Sequence, residues 1–505
     1  MKHSFILFLM VVLCACNEEI KVSKTIPHKP ILFPDYSGIT IPINIAPLNF
    51  SLADSVDYRQ VAATFCVRDY QLVVRGTKKQ IRIDENTWRK LLQKACGDSI
   101  TIKLLCKESD QWEEFQPFTW HVSPDSIDSY LAYRLIEPGY ELWNEMGIYQ
   151  RCLENFNETP IIRNVMTDNN CMNCHSFCMQ DPSKMLFHMR AALSGTYVIQ
   201  NGNMEKLNTK TDQTISAFVY PSWHPSGKFV AFSVNETKQN FHSSDKNRIE
   251  VYDQKSDVVV YDVGRHEIVT APALFSQSHF ETFPTFSPDG RTLYFCTADS
   301  VTMPQSYDKL RYNICSIPFN PTTREFGETI DTLYHCNQVS DLDSIKPWER
   351  KSASFPRVSP DGSYLMFTLS AYGNFSIWHQ DADIYLLRIA DKKLMPAAIL
   401  NSQSVESYHS WSSNSRWVVF SSRRMDGLYT RPFFAHVTSD GQCSKPFVLP
   451  CEDVGFYKRF MKSYNIPEFI KDEVKLSASG ISRLARTNKG VDINAPARRG
   501  KSTGL

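Results

Sequence analysis

A thirteen-residue pattern occurs four times between residues 220 and 420, and nothing else in the chain constrains its fold as strongly. Tyr220-Pro-Ser-Trp-His-Pro-Ser-Gly-Lys-Phe-Val-Ala-Phe232 recurs as Phe283-Pro-Thr-Phe-Ser-Pro-Asp-Gly-Arg-Thr-Leu-Tyr-Phe295 and as Phe355-Pro-Arg-Val-Ser-Pro-Asp-Gly-Ser-Tyr-Leu-Met-Phe367. A degenerate copy runs Tyr408-His-Ser-Trp-Ser-Ser-Asn-Ser-Arg-Trp-Val-Val-Phe420. Such repetition points to units that cannot bury an apolar face alone and must stack on their neighbours. Pro288-Asp289-Gly290 and Pro360-Asp361-Gly362 are turn formers: proline presets φ and glycine permits the tight reversal. The alternating apolar residues that follow read as a half-buried strand, so each copy predicts a β-hairpin.

The pattern Phe-Pro-x-[Phe/Val]-Ser-Pro-Asp-Gly before an alternating strand resembles the PD40, WD40-like repeat of the TolB family. The likeness covers roughly 191–452 and implies a β-propeller. Strand-like runs between the copies, such as Asp257-Val-Val-Val-Tyr-Asp262 and Asn313-Ile-Cys-Ser-Ile317, supply the remaining strands of each blade. The copies are 63, 72 and 53 residues apart, which implies inserted loops and five or six blades. The repeated residues therefore have a structural role, and none of them is assigned to catalysis.

Residues 38–122 read differently. Val61-Ala-Ala-Thr-Phe-Cys-Val67, Tyr70-Gln-Leu-Val-Val74, Ser99-Ile-Thr-Ile-Lys-Leu-Leu105 and Phe118-Thr-Trp-His-Val122 are short strands spaced as in a small β-sandwich, with fibronectin-III-like topology as the expectation. One helix is predicted over 85–95, with Asp84 as N-cap and Gly97 just past its end. The fold class is thus mainly β: a sandwich-like domain, a linking segment over 123–190, then the propeller.

The linking segment contains Cys171-Met172-Asn173-Cys174-His175, which has the spacing of a c-type haem attachment site. Two thiols can form thioethers with the haem vinyl groups while the adjacent imidazole ligates the iron. On this reading Cys171 and Cys174 carry haem c and His175 is the proximal ligand. The distal ligand would be His188 or Met185, far enough along the chain to fold over the porphyrin. Two other readings stand beside it: a structural disulfide, or a zinc site that adds Cys178.

The N-terminus predicts export. Lys2 and His3 precede the apolar run Phe5-Ile-Leu-Phe-Leu-Met-Val-Val-Leu13, of a size for a signal-peptide core and too short to span a bilayer. The following Leu13-Cys14-Ala15-Cys16 resembles a bacterial lipobox, which implies a signal peptide over 1–15, lipidation of Cys16, a tether over 16–37 and a lipid anchor in the cell envelope, on the outer membrane. With its single CxxCH and PD40 repeats, the chain resembles TolB-like lipoproteins of Bacteroidetes that carry cytochrome-c-type signatures. Ten cysteines remain outside the signal peptide, lipid site and haem pair; in an exported chain some should be paired, Cys443 and Cys451 being the closest pair outside the haem region, and the connectivity is not legible from sequence. Residues 453–505 read as an extension with a basic, flexible tail.

A net charge of +1 gives no reason to expect nucleic acid as a partner. The sequence has no G-x-S-x-G, H-E-x-x-H, P-loop or G-x-G-x-x-G signature. The expectation is a non-catalytic protein in which the haem transfers or senses electrons and the propeller face binds a protein or glycan partner. The alternatives are a non-redox interaction scaffold and a glycan-binding propeller.

Overall fold

Three of the four copies of the repeated pattern close their turn with the same side-chain chemistry, and the first, with His224 in place of the serine, uses a His224 Nδ1–Ser226 Oγ bond (2.7 Å) instead. Ser287 Oγ donates to Asp289 Oδ1 (2.5 Å), which also accepts from Arg291 N (3.0 Å), while Thr292 N donates back to Ser287 Oγ (3.0 Å). The same three bonds recur at Ser359, Asp361, Ser363 and Tyr364, and again at Ser412, Asn414, Arg416 and Trp417. Gly290 and Gly362 lie at φ +73° and +75°, and Ser415 holds the equivalent place at +62°. These Ser-x-Asp-Gly turns join the first and second strands of each sheet.

The computed structural model describes residues 20–108, 110–137, 145–336, 351–487 and 489–495. From Tyr130 to Ile470 it is a propeller of six sheets arranged around a central channel. Blade 2 is built from Met172–Phe177, Lys184–Met189, Gly195–Gln200 and Asn203–Asn208, and blades 3 to 6 follow in chain order, each antiparallel and each led by a repeat copy. Blade 1 is composite: its inner strand, Ser463–Ile470, pairs with Tyr130–Ile136, which continues outward to Gly147–Cys152 and Glu158–Arg163. Each inner strand packs beside the next, and Ser463–Ile470 closes the ring between Glu406–Trp411 and Met172–Phe177.

The propeller is therefore larger than the span of 191–452. The linking segment proves to supply three of the four strands of blade 1 and the first two strands of blade 2, Met172–Phe177 and Lys184–Met189, whose backbone groups a sheet must pair. The tail is also partly ordered. Ala478–Arg486 is a helix capped by Ser477, with Ile481 and Ala485 buried against blade 2, and Val491–Asp492 adds a parallel strand to that blade.

The N-terminal unit contains the predicted helix Glu85–Ala95, whose N-cap Asp84 accepts from Asn86 N and Thr87 N. It packs on a seven-stranded sheet, with a small three-stranded sheet beside it. The large sheet includes two parallel pairs, Val22–Ile26 with Trp112–Phe115 and Ile39–Pro42 with Phe118–Ser123, which departs from a fibronectin-III topology. Residues from Val22 onward are therefore sheet rather than tether. The core of this unit, with Trp88 and Trp120 fully buried, is continuous with that of blades 5 and 6. Tyr36 hydroxyl to Val448 carbonyl and Trp417 Nε1 to Asp125 carbonyl fix the joint.

Candidate functional site

The five-residue motif lies on the wall of the channel. Asn173-Cys174-His175-Ser176-Phe177 occupies in blade 2 the place that Ser407-Tyr408-His409-Ser410-Trp411 occupies in blade 6. Each inner strand has a bulge at this point, where the pairing register shifts. The bulged residue has positive φ in every blade: Cys174 (50°), Tyr220 (49°), Phe283 (49°), Phe355 (54°), Tyr408 (51°) and Ile466 (51°). Such a conformation is costly for side chains of this size and persists only where the surroundings dictate it, as a sixfold ring does. The next residue is proline in four blades and histidine in two, His175 and His409. Cys174-His175 is thus a divergent copy of the repeat. The shared signal is a residue, then His-Ser, then an aromatic side chain, and it is legible in the sequence once blade 6 is taken as the template.

The bulged side chains form a collar. Ring centroids of Tyr220 and Phe283 are 4.5 Å apart, those of Phe283 and Phe355 5.6 Å, and those of Phe355 and Tyr408 5.2 Å. Cys174 and Ile466 complete it. Beside the smaller Cys174 the channel holds a cavity of about 120 Å³, bordered also by His175, Arg357, His409, Ser410 and Glu468.

His175 is buried, and its ring meets the Ile466 backbone without a well-aligned hydrogen bond at either nitrogen. Burial, reinforced by the nearby Arg134 guanidinium, pushes its pKa down to about 3, with the Ile466 backbone opposing weakly. Burial also raises the Cys174 thiol. Met185 and His188 lie on the adjacent strand and face opposite sides of the blade. Met185 packs among Met172, Phe177 and Phe187, whereas the His188 ring stacks edge-on to Phe232 (5.9 Å) and its Nδ1 meets Thr196 Oγ1 (2.9 Å).

Haem c does not fit these residues as they are folded. Pockets that enclose even a drug-sized ligand span roughly 300–1,000 Å³, and the cavity touching Cys174 and His175 is about 120 Å³ and does not reach Cys171. His188 sits one strand away from His175 in the same sheet, so the two cannot face each other across a macrocycle. The zinc reading gains no support either, since among the described residues no three His, Cys, Asp or Glu side chains converge as a metal site. Cys171, Cys174 and Cys178 are free thiols, as are the other described cysteines, among them Cys443 and Cys451, whose Sγ faces the Leu449 carbonyl, so the expectation that some would be paired is not met among the described residues. Cys16 lies outside the described residues.

The opposite face of the propeller carries a larger site that sequence reasoning missed. In blade 3 the second and third strands, Phe229–Phe241 and Ile249–Asp262, extend far beyond the sheet as a hairpin. It crosses to blade 5, where Asp253 Oδ2 accepts from Asn374 Nδ2 and Asn235 Nδ2 (both 2.7 Å) and Glu250 Oε2 accepts from the Tyr372 hydroxyl (2.6 Å). Ile249, Val251 and Phe375 pack onto Tyr220 and cap the collar. Between this hairpin and the loops of blades 5, 6 and 1 lies a cleft of about 850 Å³. Its walls include Ile377, Val405 and Trp378, with the Arg423 guanidinium 5.0 Å from the Trp378 ring, and its rim presents Phe241 and Leu428, 60% and 53% exposed. The only sequence sign of this cleft is the insertion that lengthens the spacing after the first copy.

No family model matches the chain, and no curated protein does. Among solved structures the chain is similar to the tricorn protease (11% identity, TM-score 0.34), with 70% of this chain and 34% of that one covered. It is also similar to prolyl oligopeptidase B from Galerina marginata (10%, TM-score 0.34), covering 72% of this chain and 50% of that one. An ancestral GH74 enzyme matches at 10% identity and TM-score 0.33, with 82% and 63% covered. The chain therefore spans about a third of the first protein and half of the second.

Proposed function

We propose that this β-propeller protein is a binding scaffold whose cleft holds a segment of a protein partner. The observation that carries this reading is the cleft of about 850 Å³ beneath the long hairpin, with exposed Phe241 and Leu428 on its rim. Apolar side chains left on a rim around an aromatic-lined concavity favour anchoring of a partner's apolar side chain, with Arg248 and Arg423 able to meet backbone carbonyls or acidic neighbours. A glycan would call for flat aromatic faces free for stacking, whereas the Trp378 ring already has a guanidinium near it. The hydrogen bonds from Tyr372 and Asn374 that tie the hairpin to blade 5 hold the cleft ready, which lowers the ordering cost of binding.

Peptide arrays probed with the purified chain test this. Binding of apolar-anchored peptides should weaken at least tenfold in Phe241→Asp, and retention of that binding, or binding to polysaccharide alone, would remove the reading. The same proposal tethers the chain to the outer membrane through Cys16, supported by the lipobox-like Leu13-Cys14-Ala15-Cys16. Acyl labelling should vanish in Cys16→Ala, and labelling that survives would place the anchor elsewhere.

A further inference from the structure

Arg357 places a partly buried charge in the channel without a contact counter-ion. It stands two residues beyond the bulged Phe355 and reaches into the cavity of about 120 Å³. Its guanidinium lies 3.9 Å over the Phe355 ring and donates from Nη1 to its neighbour Pro356's carbonyl (2.9 Å). Glu468 holds the corresponding place in blade 1 and is close enough to interact, but it is turned to accept from Phe177 N (3.0 Å) and forms no ion pair with Arg357. A charge partly withdrawn from bulk water favours a partner of opposite sign or suitable polarity.

The other polar groups on this cavity are short of partners too. Both ring nitrogens of His175, Nδ1 of His409 and Oγ of Ser410 are buried and form no well-aligned hydrogen bond within the protein, although His409 Nε2 donates to the Met366 carbonyl (2.9 Å) and the Ile466 and Phe355 backbones lie close to the two rings. Four such groups around one cavity in the middle of a packed propeller call for a polar ligand or water as their partner. The volume suits a few waters or one small organic ion.

We propose that the channel cavity binds a small carboxylate anion, held by the Arg357 guanidinium with the Ser410 hydroxyl and the His175 imidazole as further donors. A guanidinium is a planar fork that matches a carboxylate through two parallel bonds, a geometry a halide cannot use. One fixed cation also suits a single negative charge better than the two of phosphate or sulfate. His409 Nδ1, left bare because Nε2 is the donor, can accept from a hydroxyl on the ligand or from a water beside it. The hairpin and Phe375 close the channel from one side, so entry is from the side of the turns, where Gln180 Nε2 bridges to the Trp411 carbonyl (3.2 Å). This site is separate from the peptide cleft and does not depend on it.

The test is titration of the purified full chain with sodium acetate against sodium chloride at constant ionic strength, read by thermal melting and by calorimetry. Wild type should show a saturable rise in Tm with acetate and none with chloride, and Arg357→Met should weaken acetate at least tenfold. Absence of a saturable acetate effect, an equal effect of chloride, or an undiminished effect in Arg357→Met would each overturn the proposal. If Arg357→Met does not fold, Ser410→Ala takes its place: several-fold weaker acetate binding supports the site, and unchanged affinity overturns it.

Discussion

Gly290 and Gly362 share a turn, a φ and a sequence context, yet they should not tolerate change equally. A Cβ on Gly290 would lie 2.1 Å from His224 Nε2, which itself meets the Gly290 carbonyl (3.0 Å), whereas a Cβ on Gly362 would meet nothing within 4 Å. Valine at 362 therefore costs the backbone strain of a β-branched residue at positive φ, about 1–3 kcal/mol. At 290 the displaced imidazole adds an overpacking cost of about 1–3 kcal/mol. Denaturant melts of Gly290→Val and Gly362→Val should show the former clearly less stable, and equal losses would show that the His224 contact carries no weight. The difference comes from a neighbouring blade, so no reading of the two identical turns could have separated them.

At the level of the strand, the repeat was legible wherever its turn chemistry survived and illegible where it did not. Ser-Pro-Asp-Gly announces blades 4 and 5, and the helix Glu85–Ala95 was marked at both ends by Asp84 and Gly97. Blade 2 replaces the turn with Cys178-Met179-Gln180-Asp181, although Asp181 N still donates to the Cys178 carbonyl (3.0 Å) just as Gly290 N does to Ser287 (2.9 Å). Without proline and glycine there, the cysteines dominated the reading of the segment. Blade 1 hid for another reason: its inner strand, Asn465-Ile466-Pro467-Glu468-Phe469, is more than 300 residues from the three strands it completes. The repeat equivalence makes a sharp prediction for the motif itself. His175→Pro installs the residue found at this position in four blades, so it should fold with a stability within about 1 kcal/mol of wild type. Intact mass of wild type and variant, made with a cytochrome c maturation system, should show no haem increment in either. A variant that fails to fold, or a wild type that carries haem, would sink the equivalence.

For the molecule as a whole, buried titratable groups set the pH range in which the propeller stands. The pKa of His409 is pushed down by burial to about 3, so the folded form stays neutral while the unfolded chain takes up a proton below about 6.5. Stability is then lost as pH falls, by up to about 2 kcal/mol at pH 5 from this one group. Burial has the opposite consequence for Glu281 and Glu468, whose carboxyls are pushed up to about 8: their contribution is complete below the unfolded carboxylate value and is lost as pH rises toward 8. Melting temperature should therefore peak at mildly acidic pH and fall on both sides, and a flat profile from pH 5 to 8 would show these groups to be relaxed or hydrated. The closure of the ring has a consequence of a different kind. Translation delivers Tyr130–Ile136 long before Ser463–Ile470, and in the interval that strand has an open edge facing the channel. An open edge pairs with whatever strand arrives first, so five finished blades wait with a live template beside them. Ser463–Ile470 is the strand that removes it, and the chain is most vulnerable to aggregation in the seconds before that strand emerges.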